Sequence, residues 1–150
     1  MSRNPRVHVA LNVTNLDESI AFYRTLLGTE PSKIQPDYAK FEPESPPVHL
    51  SLNPVAETTN ETRVSHFGVQ VWSAGELEVV RQRLGDAGLT LTPEDGVTCC
   101  YAVQDKVWVE DPDGNSWEVF LSKADAAVHS DRQAGPDFDC CPTTESKSCC

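Results

Sequence analysis

His8-Val9-Ala10-Leu11-Asn12-Val13 and His66-Phe67-Gly68-Val69-Gln70-Val71 carry one pattern written twice, 58 residues apart. In both, a histidine, a small residue and an amide take alternate positions, and apolar residues take those between. A period of two is the signature of a half-buried β-strand. The residues just beyond each strand repeat as well. Asn15-Leu16-Asp17-Glu18 and Ser73-Ala74-Gly75-Glu76 each read as a helix start, with a capping side chain and a Glu three residues on. Leu16, Ile20, Tyr23 and Leu27 then form one apolar stripe that stops near Gly28. Leu77, Val80, Leu84 and Ala87 form another that stops near Gly88.

Short strands are predicted after each helix. They fall at Ser32–Gln35, Ala39–Glu42 and Val48–Asn53 in the first half, and at Thr90–Pro93, Val107–Glu110 and Ser116–Leu121 in the second. Asp111-Pro112-Asp113-Gly114 is the turn before the last of these. The fold expected is α+β: two tandem βαβββ modules, about 6–54 and 64–122 of a domain spanning 1–122, pairing their sheets around a cleft. From about Lys123 the pattern dissolves. Residues 123–150 are polar and aperiodic with a Gly-Pro break, and read as a mobile cysteine-rich tail.

The chain has 150 residues, 12 Lys plus Arg against 23 Asp plus Glu, and a formal charge of −11. That balance argues against a nucleic-acid binder, whose affinity rests on clustered basic side chains. No apolar run approaches the ~18 residues of a membrane span. The opening residues lack a secretory h-region. An acidic, soluble, cytoplasmic protein is expected, in a reducing compartment.

Six cysteines fall in three adjacent pairs: Cys99-Cys100, Cys140-Cys141 and Cys149-Cys150. Disulfide frameworks spread their cysteines so that bridges close long loops. Neighbouring pairs kept reduced instead suit a soft, thiophilic ion or compound. A buried apolar pair is the bland account of any one of them. Asp95-Gly96-Val97-Thr98 before the first pair and Tyr101-Ala102 after it predict a mobile loop between strands rather than a ladder. Lys106 is a nearby cation in sequence that would favour a thiolate.

His8 and His66 occupy corresponding positions of the two halves, and Glu118 lies inside the last strand between Trp117 and Val119. Two His and one carboxylate converging from three strands would form the facial triad that binds non-haem Fe(II) and leaves positions open for O2 and substrate. The pattern equally allows two hydrogen-bonded strand histidines and an exposed Glu. His49 maps near Glu118 by the duplication. It reads as a group supporting a ligand or as an exposed strand residue ahead of a fourth ligand. His129 falls in the tail and reads as solvated.

The duplication with His8, His66 and Glu118 resembles the vicinal oxygen chelate superfamily, which includes glyoxalase I, extradiol dioxygenases and bleomycin-resistance proteins. The stretch Val97–Trp108, with HVALNV, Asp37–Phe41 and DPDGNSWEVF, is more specific. It resembles the C–As lyases that demethylate or dearylate trivalent organoarsenicals, and their cadmium-induced relatives, over about residues 6–122. The resemblance implies Fe(II) on His8, His66 and Glu118 and arsenic on Cys99 and Cys100. Some relatives carry Gln at the first of these positions. It also implies O2-dependent conversion of a substrate such as methylarsonous acid to arsenite plus an oxidised one-carbon product. Two thiolates would replace the two exchangeable oxygens of such a substrate and leave its As–C bond intact. The tail pairs Cys140-Cys141 and Cys149-Cys150 would capture arsenic near the cleft.

Three rivals make different demands. A thiol-based cadmium or arsenite sequestration protein needs no His8, His66 or Glu118. A glyoxalase-like isomerase generally takes a carboxylate ligand from the first half, where Val48–Asn53 offers only His49. An extradiol dioxygenase acting on catechols has no use for a dithiol. Superfamily members pair their modules either within one chain or between two, so a homodimer is compatible with the sequence, and methyl and aromatic arsenicals both stay open.

Overall fold

The computed structural model describes residues 3–129, which contain ten elements. They are β1 (Arg6–Val13), α1 (Leu16–Leu27), β2 (Lys33–Gln35), β3 (Tyr38–Phe41), β4 (Val48–Pro54), β5 (Val64–Val71), α2 (Ala74–Asp86), β6 (Thr92–Cys99), β7 (Ala102–Glu110) and β8 (Ser116–Asp125). The order βαβββ therefore occurs twice. By contacts the described chain forms two compact units, residues 7–66 and residues 3–6 with 67–129. The boundary falls within β5, between His66 and Phe67. None of the helices is long and apolar enough to cross a membrane.

In the unit of residues 7–66 the strand order is β2-β3-β4-β1. β1 and β4 run parallel with His8 opposite His49, Ala10 opposite Ser51 and Asn12 opposite Asn53. Strand alternation sorts the residues onto two faces. Val9, Leu11 and Val13 join Leu50, Leu52, Phe41 and Ala39 against Leu16, Ile20, Tyr23 and Leu27 of α1, the stripe expected from the sequence. Phe41 and Leu52 are fully enclosed there. Truncating either to Ala would cost about 2–5 kcal/mol. The opposite face carries His8, Asn12, His49, Ser51 and Asn53, all buried although polar. Asn15 caps α1 by accepting the Glu18 amide, and Gly28 ends it in the left-handed conformation at φ 63°.

The unit of residues 67–129 has the order β5-β8-β7-β6. β5 and β8 are parallel, with Gly68 opposite Glu118. Ser73 and Glu76 form a complete capping box at the start of α2. Leu77 and Val80 pack with Val69, Val71, Val107, Val119 and Leu121. Ala87, expected on that stripe, is the C-cap and is exposed.

The second-half strands are longer than their sequence signals. β6 and β7 form a continuous hairpin in which Cys99 pairs with Ala102, so the dithiol expected on a mobile loop sits at the tip of a ladder. Cys100 and Tyr101 are the two turn residues, at φ 59° and 58°. Positive φ at both central positions defines a type I′ turn, whose usual signal is Asn-Gly or Asp-Gly. Here two side-chain-bearing residues adopt it, and turn chemistry gave no warning. β8 continues to Asp125, three residues past the end of the legible pattern.

Candidate metal centre and dithiol turn

His8 is buried on the polar face of β1. Its Nδ1 lies 3.0 Å from the main-chain carbonyl oxygen of His49. A carbonyl only accepts, so Nδ1 carries the proton and Nε2 presents its lone pair. That Nε2 lies 3.2 Å from Nε2 of His66. His66 reaches this position because the chain before β5 is tied to β1. The Asn12 amide donates to the Arg63 carbonyl at 2.8 Å, and the Asn12 side-chain amide to the Thr62 carbonyl at 2.6 Å. The other ring nitrogen of His66, Nδ1, is 3.1 Å from the Ser65 hydroxyl. Metal-ligating imidazoles are held in this way, one nitrogen fixed by the protein and the other directed at the ion. His49 is buried, not exposed, and its ring lies 4.6 Å from that of His8, centroid to centroid. Its main-chain carbonyl fixes the tautomer of His8.

Glu118 is buried on β8, opposite Trp108 of β7 and Gly68 of β5. Its Oε2 accepts from Lys106 Nζ at 2.8 Å, with the two side chains only 3% and 1% exposed. The Lys106 ammonium, weighed in the sequence as a charge beside the thiols, thus lies against the carboxylate. It also stands 5.4 Å from the centre of the Trp108 ring. Its burial beside Glu118 was not anticipated. The available signal was parity: Gln104, Lys106 and Trp108 alternate with Val103, Asp105 and Val107, so Lys106 shares the face of Trp108.

Cys99 and Cys100 are buried, and their sulfurs lie 3.0 Å apart, so a single thiophilic centre can touch both. Cys99, Gln104 and Lys106 share one face of the β6–β7 ladder by register. Two non-glycine residues at positive φ cost on the order of 1–3 kcal/mol each and persist only where the surroundings hold them. Tyr101 is held by the Ala126 amide, which donates to its carbonyl at 2.8 Å, and by His129, whose ring meets the Tyr101 ring edge-on at 5.5 Å. His129, expected to be solvated, therefore packs on the dithiol turn. Cys140, Cys141, Cys149 and Cys150 lie outside the described residues.

Residues 6–119 match the model of the Glyoxalase/Bleomycin resistance protein/Dioxygenase superfamily. The chain belongs to this superfamily. Its fold is the vicinal oxygen chelate type expected from the sequence. A trivalent organoarsenical cleaving enzyme of Bacillus sp. strain MD1 is 46% identical over 147 residues, covering 95% of this chain and 88% of that one. The cadmium-induced protein CadI of Mycobacterium bovis is 40% identical over 147 residues, with 97% and 92% covered. Among solved structures, the Mn(II)-bound glyoxalase of Novosphingobium aromaticivorans superposes with a TM-score of 0.57 at 21% identity, covering 89% of this chain and 44% of that one.

Proposed function

We propose that this superfamily member is an Fe(II)- and O2-dependent enzyme that cleaves the C–As bond of trivalent organoarsenicals such as methylarsonous acid, releasing arsenite and so detoxifying them. The observation that carries the reading is the relationship to proteins named organoarsenical cleaving enzymes, at 41–46% identity over 95–96% of this chain.

His8, His66 and Glu118 are the proposed ligands. Each is buried and each offers one donor atom. The donor chemistry fits a divalent iron: two imidazoles, one with its tautomer fixed so that Nε2 faces outward, and one carboxylate. β5, which carries His66, pairs with β8 at Gly68 and Glu118. An iron bound there would supply open positions at which O2 can be reduced.

The remaining work falls to the chain. Cys99 and Cys100 would give up their protons to the two hydroxyls of the arsenical, displace them as two waters, and hold arsenic through two As–S bonds with its carbon still attached. The turn at Cys100-Tyr101 fixes the direction in which both sulfurs point, converting capture into orientation. The buried polar face of β1 and β4 and the buried pair of Lys106 and Glu118 keep bulk water from the ligand atoms.

A second reading, thiol-based sequestration of cadmium or arsenite, is favoured by the relatives named for cadmium induction. One experiment separates the two. The protein is loaded anaerobically with Fe(II), given methylarsonous acid, and assayed for arsenite with and without O2. Catalytic arsenite release that requires both Fe(II) and O2 is expected. Stoichiometric binding without C–As cleavage would overturn the enzyme reading in favour of sequestration.

A further inference from the structure

Lys106 is the only buried Lys or Arg among the described residues. Its Nζ donates to Glu118 Oε2 at 2.8 Å, and the pair is almost completely withdrawn from solvent. The stability of the fold does not account for it. A buried ion pair roughly breaks even against well-packed apolar side chains of similar volume, and Trp108 and Phe120, two residues on along the same strands and on the same face, are buried aromatic side chains.

The consequence lies in what the carboxylate has left to offer. Glu118 has two oxygens, and a charge-assisted hydrogen bond in a dry setting holds Oε2 firmly. We propose that Lys106 is a positioning residue that makes Glu118 a one-oxygen metal ligand, an inference that rests on the proposed metal centre of His8, His66 and Glu118. With Oε2 committed to the ammonium, Glu118 ligates through Oε1 alone. Two imidazoles and one oxygen then take three positions of a six-coordinate ion, one fewer than with a chelating carboxylate. The ammonium also opposes a second cation beside it. Lys106 thus trades metal affinity for open coordination positions. This extends the use of ordinary side-chain partners to orient ligands, with the sign of the affinity effect reversed.

The probe is Co(II), added without O2 to the metal-free full-length protein and followed by X-ray absorption, visible absorption and titration. In the wild type, X-ray absorption should show the carboxylate bound through one oxygen. In Lys106→Met it should show two, with d–d bands shifted as the second carboxylate oxygen replaces another ligand and Co(II) affinity tightened about tenfold. Lys106→Arg, which keeps a charged donor, should retain one-oxygen ligation. Two-oxygen ligation in the wild type overturns the proposal without recourse to any variant, which covers the case where Lys106→Met fails to fold. Unchanged or weaker Co(II) binding by a folded Lys106→Met protein overturns it as well. Failure of the wild type to bind Co(II) at all overturns the metal-centre reading instead.

Discussion

Nε2 of His8 faces Nε2 of His66 across 3.2 Å, while Nδ1 of the same His8 ring is held 3.0 Å from the His49 carbonyl oxygen. The two contacts are linked through one ring. Because the carbonyl accepts from Nδ1–H, the proton stays on Nδ1 and the lone pair on Nε2 of His8 faces the second imidazole. An arrangement of this kind gains from a positive charge shared between the two nitrogens. A divalent ion supplies that charge in one way and a proton in another, so the pair predisposes these rings toward a metal without requiring one.

The first prediction rests on this pairing. His8→Ala and His66→Ala should each weaken Fe(II) binding by more than about 100-fold, since losing even a residue that merely supports a ligand costs 10–100-fold. Glu118 is better tested as Glu118→Gln. Glu118→Ala would strand the Lys106 ammonium in a buried site, at about 3–5 kcal/mol, and confuse loss of a ligand with loss of fold. Anaerobic Fe(II) titration beside a thermal melt makes the distinction. A folded Glu118→Gln protein with wild-type affinity and turnover would remove Glu118 from the ligand set.

Cys99→Ser and Cys100→Ser should abolish turnover while leaving Fe(II) affinity within about twofold, because thiols and ligands are different side chains. Loss of one sulfur turns a two-point attachment into one, which should weaken methylarsenical binding about 100-fold or more. In a sequestration protein the tail pairs would compensate, and binding would fall only in proportion to the thiols removed. Turnover close to normal in both variants would end the assignment of this dithiol to the substrate.

The duplication was legible because it uses two strong signals, strand alternation at His8–Val13 and His66–Val71 and the capping residues Asn15 and Ser73. Both are local, and both appear where they were read. The β6–β7 hairpin was not legible. Its turn uses Cys100 and Tyr101 where short-range rules look for Asn and Gly, and β6 carries Pro93, Asp95 and Gly96 among few apolar residues. What stabilises that hairpin lies away from the turn residues' own chemistry: the Ala126 amide on Tyr101 from beyond β8, and Asp105 of β7 on the Gly96 amide of β6. The candidate ligands stood out by type and spacing. The partner of Glu118 did not, since a strand lysine is ordinarily a solvated one; parity puts Lys106 on the face of Trp108, but only the register of β7 against β8 sets it beside Glu118.

Removal of the tail should spare catalysis, provided the cut respects the dithiol turn. Ala126 and His129 both touch Tyr101, so a cut near residue 125, where β8 ends, would remove the groups that hold the strained turn. Ending the chain after His129 removes Cys140, Cys141, Cys149 and Cys150 while keeping those contacts. We expect turnover at saturating methylarsenical within about twofold of the full chain, and a higher KM if the tail thiols concentrate arsenic locally. A folded but inactive protein ending at His129 would show that the tail belongs to the site.

The last prediction concerns pH and the bulge that shapes β6. Asp105 Oδ1 accepts from the Gly96 amide at 2.7 Å and from Lys123 Nζ at 2.7 Å, at the place where the β6–β7 register shifts between Glu94 and Val97. The Lys123 hydrogen bond, helped by the Gly96 amide and opposed by burial, holds the Asp105 carboxyl below its ordinary value. A folded-state pKa below the unfolded one stabilises the protein fully above the ordinary carboxylate range. That stabilisation is lost as pH falls through the lowered folded value, so the sensitive window lies below about pH 4. Asp105→Asn keeps an acceptor for Gly96 but loses the charge facing a half-exposed lysine, a loss of about 1 kcal/mol, or about 3 °C in Tm for a chain of this size. That gap should be present at pH 7, begin to shrink as pH falls below about 4, and close only once pH has passed below the lowered folded value and the wild-type carboxyl is itself protonated. Melting both proteins across that range is the measurement. A gap that does not shrink at all as the pH is lowered through and below the ordinary carboxylate range would mean that shape alone, not the Asp105 charge, holds the bulge.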